Sequence, residues 1–375
     1  MTAINKIISV VMTVILSLYG LFGLTGGTDK DYEQGKYKNV ILMIGDGMSF
    51  EHIDATEKYR NVDLVMNDMP VQLKSDIDSF LIPATDSAAG GTALATGMRV
   101  WINSVGVYPF DPFSCNDMNV PISLGELVKA DGKATGVVTT DKTSGATPSD
   151  FSAHVLSRGM EEEICADQLK NGFDLIWGGK TDSINKENTA ANGWTYIDDR
   201  DEMNALTAGS RSFGQFNYSD LYNCTDNSNT PSISEMTTKA IELLDANEKG
   251  FFLMVEGACI DKFSHDNIMD GALMCTEEFD KAVAAALAFA EADGETLVVV
   301  TADHGTGGLT LNKKTGEYNF THGTHNIWDV PVYVSATDAG FTSGKEIANR
   351  DIPTQIARVM GYGKSQFPAS VVSIK

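Results

Sequence analysis

Short apolar runs recur along the chain at residues 40–44, 135–138, 251–255, 297–300 and 330–334, and each gives way to small or acidic residues and then to a helical pattern. Runs this short and this continuously apolar predict strands buried on both faces, as in a largely parallel sheet. Helical periodicity fills the stretches between them, at 123–130, 233–247 and 277–293, the last rich in alanine and ended by Gly294. There is no internal repeat and no Pro/Gly/Ser linker. The predicted architecture is therefore one α/β domain over residues 28–375, a three-layer α/β/α sandwich around a large, mostly parallel central sheet. The polar segment 180–230, poor in periodic pattern, is expected as a loop-rich insertion.

The amino terminus is different in kind. Residues 1–6 carry one lysine and no acid, and 7–18 form an apolar run broken only by Ser and Thr, which is the pattern of an export signal over residues 1–27. About 18 apolar residues just reach spanning length, so an uncleaved anchor is the alternative. Either outcome predicts a secreted, periplasmic or cell-surface protein, with no stable membrane partner unless the signal is retained.

Charge removes whole classes of partner. With 28 Lys and Arg against 51 Asp and Glu the formal net charge is −23, whereas nucleic acid and anionic membrane surfaces require a basic face. The five cysteines show no C-x-x-C spacing, which excludes a zinc knuckle or a thioredoxin-type pair. Cys259 lies in the apolar run FFLMVEGACI and reads as a small buried thiol.

Three strand-like runs end in acids: NVILMIGDG at Asp46, FFLMVEG at Glu256, and TLVVVTADHG at Asp303 and His304. Sites of parallel α/β sheets form at the carboxyl ends of strands, so these groups are expected along one edge. Clustered carboxylates repel each other, and a cation relieves that repulsion. Asp261 and His265, four residues apart, share one face of a helical turn. Imidazole with carboxylate is a zinc-type donor set, and without paired cysteines it indicates a catalytic zinc.

In TDSAAGGTALATG, Ser87 opens a run of small residues. A serine at a helix amino terminus has free N–H groups and the positive dipole end beside it, which suits an attacking oxygen and an incoming phosphate. An ordinary tight-packing helix capped by Thr85 or Asp86 is the plainer reading. Further on, ATPSDFSAHVLSRG supplies Thr147 and Arg158. The arginine could clamp two phosphate oxygens or simply pair with Glu161 or Glu162.

Taken together, DG at Asp46, TDSAA at Ser87, ATP followed by SRG, VEGACIDKFSH and TADH resemble the alkaline phosphatase family, in the family's order, from about residue 39 to about residue 335. The resemblance implies a phosphate monoester hydrolase with two Zn²⁺ and one Mg²⁺, and a homodimer. It implies that Ser87 is the nucleophile that becomes phosphoseryl and that Arg158 holds the phosphoryl oxygens. Asp46, Asp303 and His304 then match the zinc that activates Ser87. Asp261 and His265 match the second zinc, together with His325 by its distance from PVYV, or else His322. Asp46, Thr147 and Glu256 match the magnesium site, and Lys262 a lysine near the phosphate.

One departure stands out. Two positions before Thr147, where many members carry Asp or His, this chain has Gly145. Loss of such a supporting group weakens metal affinity about 10 to 100-fold, so a loosely held Mg²⁺ is expected. The resemblance also implies disulfides Cys115–Cys165 and Cys224–Cys275, leaving Cys259 free. The competing functions are a phosphodiesterase or phosphonate hydrolase of the same superfamily, and a non-catalytic metal-binding surface protein.

Overall fold

The structure, a computed structural model, describes residues 35–109, 118–224 and 228–374. The expected export signal and Cys115 lie outside these residues. Among the described residues no helix is long and apolar enough to cross a membrane.

The apolar runs become the strands of one ten-stranded sheet. In chain order its strands are β1 (Asn39–Gly45), β2 (Val71–Ser75), β3 (Ala134–Lys142), β4 (Leu175–Gly179), β5 (Thr195–Ile197), β6 (Ser212–Phe216), β7 (Phe251–Gly257), β8 (Thr296–Thr301), β9 (Val330–Val334) and β10 (Glu346–Ile347). Across the sheet they run β10-β2-β9-β8-β1-β7-β3-β4-β6-β5. The strands from β8 to β5 in this order are mutually parallel. Strand β9 runs antiparallel to both β8 and β2, so the 330–334 run extends the sheet in the opposite sense from its neighbour β8.

The alternation within each strand decides which layer it meets. Ile41, Met43, Leu253, Val255, Val298 and Val300 face one apolar core. Val40, Leu42, Phe252, Met254, Leu297 and Val299 face another. Seven helices matter here: α1 (Ser87–Thr96), α2 (Leu124–Ala130), α3 (Ala146–Ser152), α4 (Ile233–Leu244), α5 (Cys259–His265), α6 (Met269–Asp293) and α7 (Asp351–Val359). The first core is closed by α4 through Met236, Ala240 and Leu244 and by α6 through Phe279, Val283 and Ala286. The second is closed by α1 through Leu94, α2 through Val128, and α7 through Ile356 and Val359. Three layers result, because a sheet apolar on both faces must be covered on both.

The 180–230 segment departs from the expected loop-rich insertion. It contributes β5 and β6, which lengthen the parallel sheet at one edge. The apolar count misses β6 (SFGQF) because its polar residues are buried in specific hydrogen bonds. Trp177 Nε1 donates to Ser212 Oγ at 2.9 Å, and Gln215 Oε1 accepts from Thr181 N at 2.9 Å while its Nε2 donates to Thr143 Oγ1 at 2.8 Å.

Register fixes where the chemistry falls. Ile44 pairs with Glu256 on one side and Thr301 on the other, and Glu256 pairs with Thr139. Asp46 and Asp303 each stand two residues beyond that level, so three acids from separate strands meet at one sheet edge.

Candidate active site

Helix α1 brings its amino terminus over this edge by close packing. Gly90 and Gly91 leave no room for side chains: a Cβ at Gly90 would lie 2.9 Å from the Asp303 carbonyl oxygen, and one at Gly91 would lie 2.2 Å from Asp150 Oδ2. Asp86, not Thr85, caps the helix by accepting from Ala89 N at 3.0 Å. Ser87 is then the first helical residue, and its Oγ lies 3.3 Å from His304 Nε2.

Two groups of ligand-type atoms surround it. Asp46, Asp303 and His304 form the first, all buried. His304 Nε2 is 3.6 Å from Asp46 Oδ1 and 3.3 Å from Asp303 Oδ2, yet neither carboxylate oxygen has a hydrogen-bond partner. Asp261, His265 and His325 form the second. Here His265 Nε2 lies 3.3 Å from Asp261 Oδ1 and 3.1 Å from His325 Nε2. The structure brings His325 into this group; His322 is exposed and turned to Thr324.

Several groups that the sequence reading passed over orient these side chains. Thr306 Oγ1 donates to Asp261 Oδ1 at 2.5 Å and lies 3.2 Å from His304 Nδ1, linking the two groups. The Gly323 and Thr85 carbonyls face the Nδ1 atoms of His265 and His325 at 2.9 and 3.0 Å, which directs both Nε2 atoms inward. Gly47 donates its N–H to Asp303 Oδ1 at 3.2 Å and holds φ +73°, and a Cβ there would lie 2.7 Å from Asp261 Cα. The DG pair is thus a requirement of close approach. Adjacency to the D-H and D-G motifs is the signal that could have singled out Thr306 and Gly47.

Arg158 pairs with Asp86 instead of with Glu161 or Glu162 one turn on. Its Nη1 lies 3.3 Å from Asp86 Oδ2, and its backbone N–H donates to Asn103 O at 2.9 Å. Asp86 therefore both caps α1 and holds the guanidinium at the residue preceding Ser87. Glu161 instead accepts from Thr181.

Glu256 lies close enough to Asp46 for its charge to be felt there, and Thr147 faces Glu256. Glu256 accepts from Thr139 Oγ1, whereas Thr147 Oγ1 is buried without a hydrogen bond of normal geometry. Lys262 Nζ donates to Asp141 Oδ2 at 3.0 Å.

The electrostatics of this edge are those of crowded, buried acids. Burial, with Asp303 and Asp261 close by, pushes Asp46 well above the carboxylate range. Burial and Asp261 push Asp303 up to about 8, and burial and Asp141 push Glu256 up to about 7. Asp261 goes the other way: burial opposes its charge, but the hydrogen bond from His265 and the nearby His304 hold it low, while His265 rises to about 9. Burial and the neighbouring His325 hold His304 well below the usual imidazole range.

Orphaned buried oxygens, mutually repelling acids and inward-facing imidazole nitrogens fit divalent cations. Asp46, Asp303 and His304 offer one three-donor set, and Asp261, His265 and His325 another. One edge of a doubly covered, mostly parallel sheet thus gathers these two donor sets, a helix-terminal serine and an arginine.

The chain belongs to the alkaline phosphatase family, whose sequence profile matches residues 37–179 and 173–335. It is 35% identical over 314 residues to alkaline phosphatase 4 of Bacillus subtilis (strain 168), covering 78% of this chain and 66% of that one. The solved alkaline phosphatase of the Antarctic bacterium TAB5 superposes with a TM-score of 0.74 at 29% identity, over 88% of this chain and all of that one. A variant of the TAB5 enzyme, described as having Mg bound in its M3 site, matches over the same shares with a TM-score of 0.74 at 27% identity.

Proposed function

We propose that this protein hydrolyses phosphate monoesters through a phosphoserine formed on Ser87. The observation that supports this is Ser87 Oγ lying 3.3 Å from His304 Nε2 of one carboxylate–imidazole group, with Arg158 Nη1 3.3 Å from Oδ2 of the adjoining Asp86. Asp46, Asp303 and His304 would hold one Zn²⁺, Asp261, His265 and His325 a second, and Asp46, Thr147 and Glu256 a Mg²⁺. Bound there, divalent cations supply Lewis acidity that favours the Ser87 alkoxide and offset the charge of the phosphoryl oxygens.

The chain's own residues do the rest. The amino terminus of α1 presents backbone N–H groups and a positive dipole end to the incoming phosphate. Arg158, braced by Asp86, offers its planar fork to two nonbridging oxygens, as an in-line transfer requires of its positioning groups. Ser87 Oγ gives up its proton and attacks phosphorus, the ester P–O bond breaks and its oxygen leaves as the alcohol on taking up a proton, and water then breaks the Ser87 O–P bond, releasing phosphate and restoring the Ser87 hydroxyl. Arg158 and Lys262 also counter the net charge of −23, which would otherwise repel an anionic substrate.

Export through the amino-terminal signal and assembly as a homodimer complete the proposal; sedimentation of the secreted protein tests both. The chemistry is tested with p-nitrophenyl phosphate against a bis-ester. Monoester turnover abolished by chelator, with phosphate trapped on Ser87 by acid quench and peptide mass spectrometry, is the expected result. Faster turnover of the diester, or label on another residue, refutes it.

A further inference from the structure

Gly145 leaves the proposed Mg²⁺ site without the acid or imidazole expected two residues before Thr147, and the structure puts another carboxylate in that space. A Cβ built on Gly145 would lie 2.5 Å from Asp141 Oδ2 and 2.9 Å from Asp141 Cγ. Asp141 reaches this point from β3. Thr139 pairs with Glu256 and Glu256 with Ile44, and Asp141 follows two residues on, in the stretch between Val138 and Lys142 where the register of β3 against β4 shifts.

Its carboxylate is held on every side. The Asp141 N–H donates to Thr139 Oγ1 at 2.8 Å, and Thr139 Oγ1 in turn donates to Glu256 Oε2. Lys142 N donates to Oδ1 at 2.7 Å and Lys262 Nζ to Oδ2 at 3.0 Å. The side chain is 13% exposed. Glu256 feels the Asp141 charge and also faces Thr147, whose Oγ1, in a residue that is 1% exposed, has no hydrogen bond of normal geometry.

Resting on the metal-centre reading above, we propose that Asp141 is the outer carboxylate of the Mg²⁺ site and the positioning residue for Lys262, in place of a side chain at 145. Magnesium keeps several of its waters when bound by a few protein oxygens, so a fixed acceptor just beyond Asp46, Thr147 and Glu256 orders those waters. Glycine at 145 is then what the packing demands. Any side chain there collides with the acid that has taken over its task, and the loosening expected from Gly145 is offset.

The test uses the full-length, zinc-loaded protein and Mn²⁺ as the probe for Mg²⁺, with free Mn²⁺ read by electron paramagnetic resonance and zinc by atomic absorption. Asp141→Ala should weaken Mn²⁺ binding about 10 to 100-fold with zinc content unchanged. Gly145→Asp alone, driven into Asp141, should also weaken it. The double variant Asp141→Ala/Gly145→Asp should recover most of the affinity, because the carboxylate returns to the same space from a neighbouring backbone position. A purely structural role for Asp141 gives no such recovery. Wild-type affinity in Asp141→Ala, or a double variant no tighter than Asp141→Ala, overturns the assignment alone. A wild-type chain that takes up neither zinc nor Mn²⁺ overturns the metal-centre reading and this assignment with it.

Discussion

Stripping divalent cations with a chelator should leave a protein that loses thermal stability as pH rises from about 6.5 to about 8. Asp303 titrates at about 8 in the folded chain and near 3.9 in an unfolded one. Throughout that window the folded state keeps a proton that the unfolded state has released, so raising the pH favours unfolding. Asp46 is shifted the same way by burial and by Asp303, and Glu256, at about 7, adds to the early part of the window. His265, at about 9, has the same sign, but its side chain is 38% exposed and solvent weakens its share. Below about 6.5 the sign is mixed: His52, pushed down to about 4, and His304 refuse protons that unfolded imidazoles accept.

Counting one proton for the closely coupled Asp46 and Asp303 gives about 1.4 kcal/mol per pH unit, or about 2 kcal/mol across the window. At about 2.1 cal/mol/K of unfolding entropy per residue, this is a fall of about 3 °C in Tm. Reloading with Zn²⁺ and Mg²⁺ should reverse the slope, since cations bind the deprotonated acids. Differential scanning calorimetry at constant ionic strength, with and without chelator, reads both slopes, and Asp303→Asn should flatten the metal-free one. A metal-free Tm that is level or rising between these pH values would refute the reasoning.

Other outcomes follow from single contacts. Ser87→Ala should abolish monoester hydrolysis while zinc content stays at the wild-type value; retained activity would place the nucleophile elsewhere. His325→Ala should lose about one zinc equivalent by atomic absorption, and His322→Ala none, since only the former ring lies against Asp261 and His265. Gly91→Ala, whose Cβ would lie 2.2 Å from Asp150 Oδ2, should lower stability by about 1–3 kcal/mol in a urea melt. Cys224 Sγ and Cys275 Sγ lie 3.7 Å apart, and buried Cys259 touches Thr140. Cys259 also meets Cys275, but Cys224 is the less buried thiol; oxidation should join Cys224 to Cys275, and a Cys259–Cys275 peptide in mass spectrometry of the unreduced protein would refute this.

The legible part of the fold was local. Fully apolar runs such as 40–44 and 297–300 could only be doubly covered strands, and the Gly-Asp and Asp-His turns that follow them named the acids of the site. Strand β6 was not legible, because Ser212 and Gln215 are buried by hydrogen bonds that no hydropathy pattern reports. Nor was the sense of β9, since an apolar run has the same appearance in parallel and antiparallel pairs. Arg158 had two plausible partners within reach along the chain, and its actual partner, Asp86, is 72 residues away.

The sequence by itself determined the apolar strands and the periodic helices, though not the edge strands of 180–230, and which residue types are available for chemistry, because burial periodicity, capping and donor type are properties of neighbouring residues. Tertiary structure alone decided which acids share a site, which histidine joins them, and that Asp141 stands where Gly145 has no side chain. Those outcomes depend on strand register and on how closely α1 and α3 can approach, and both are set by contacts between residues far apart in the chain.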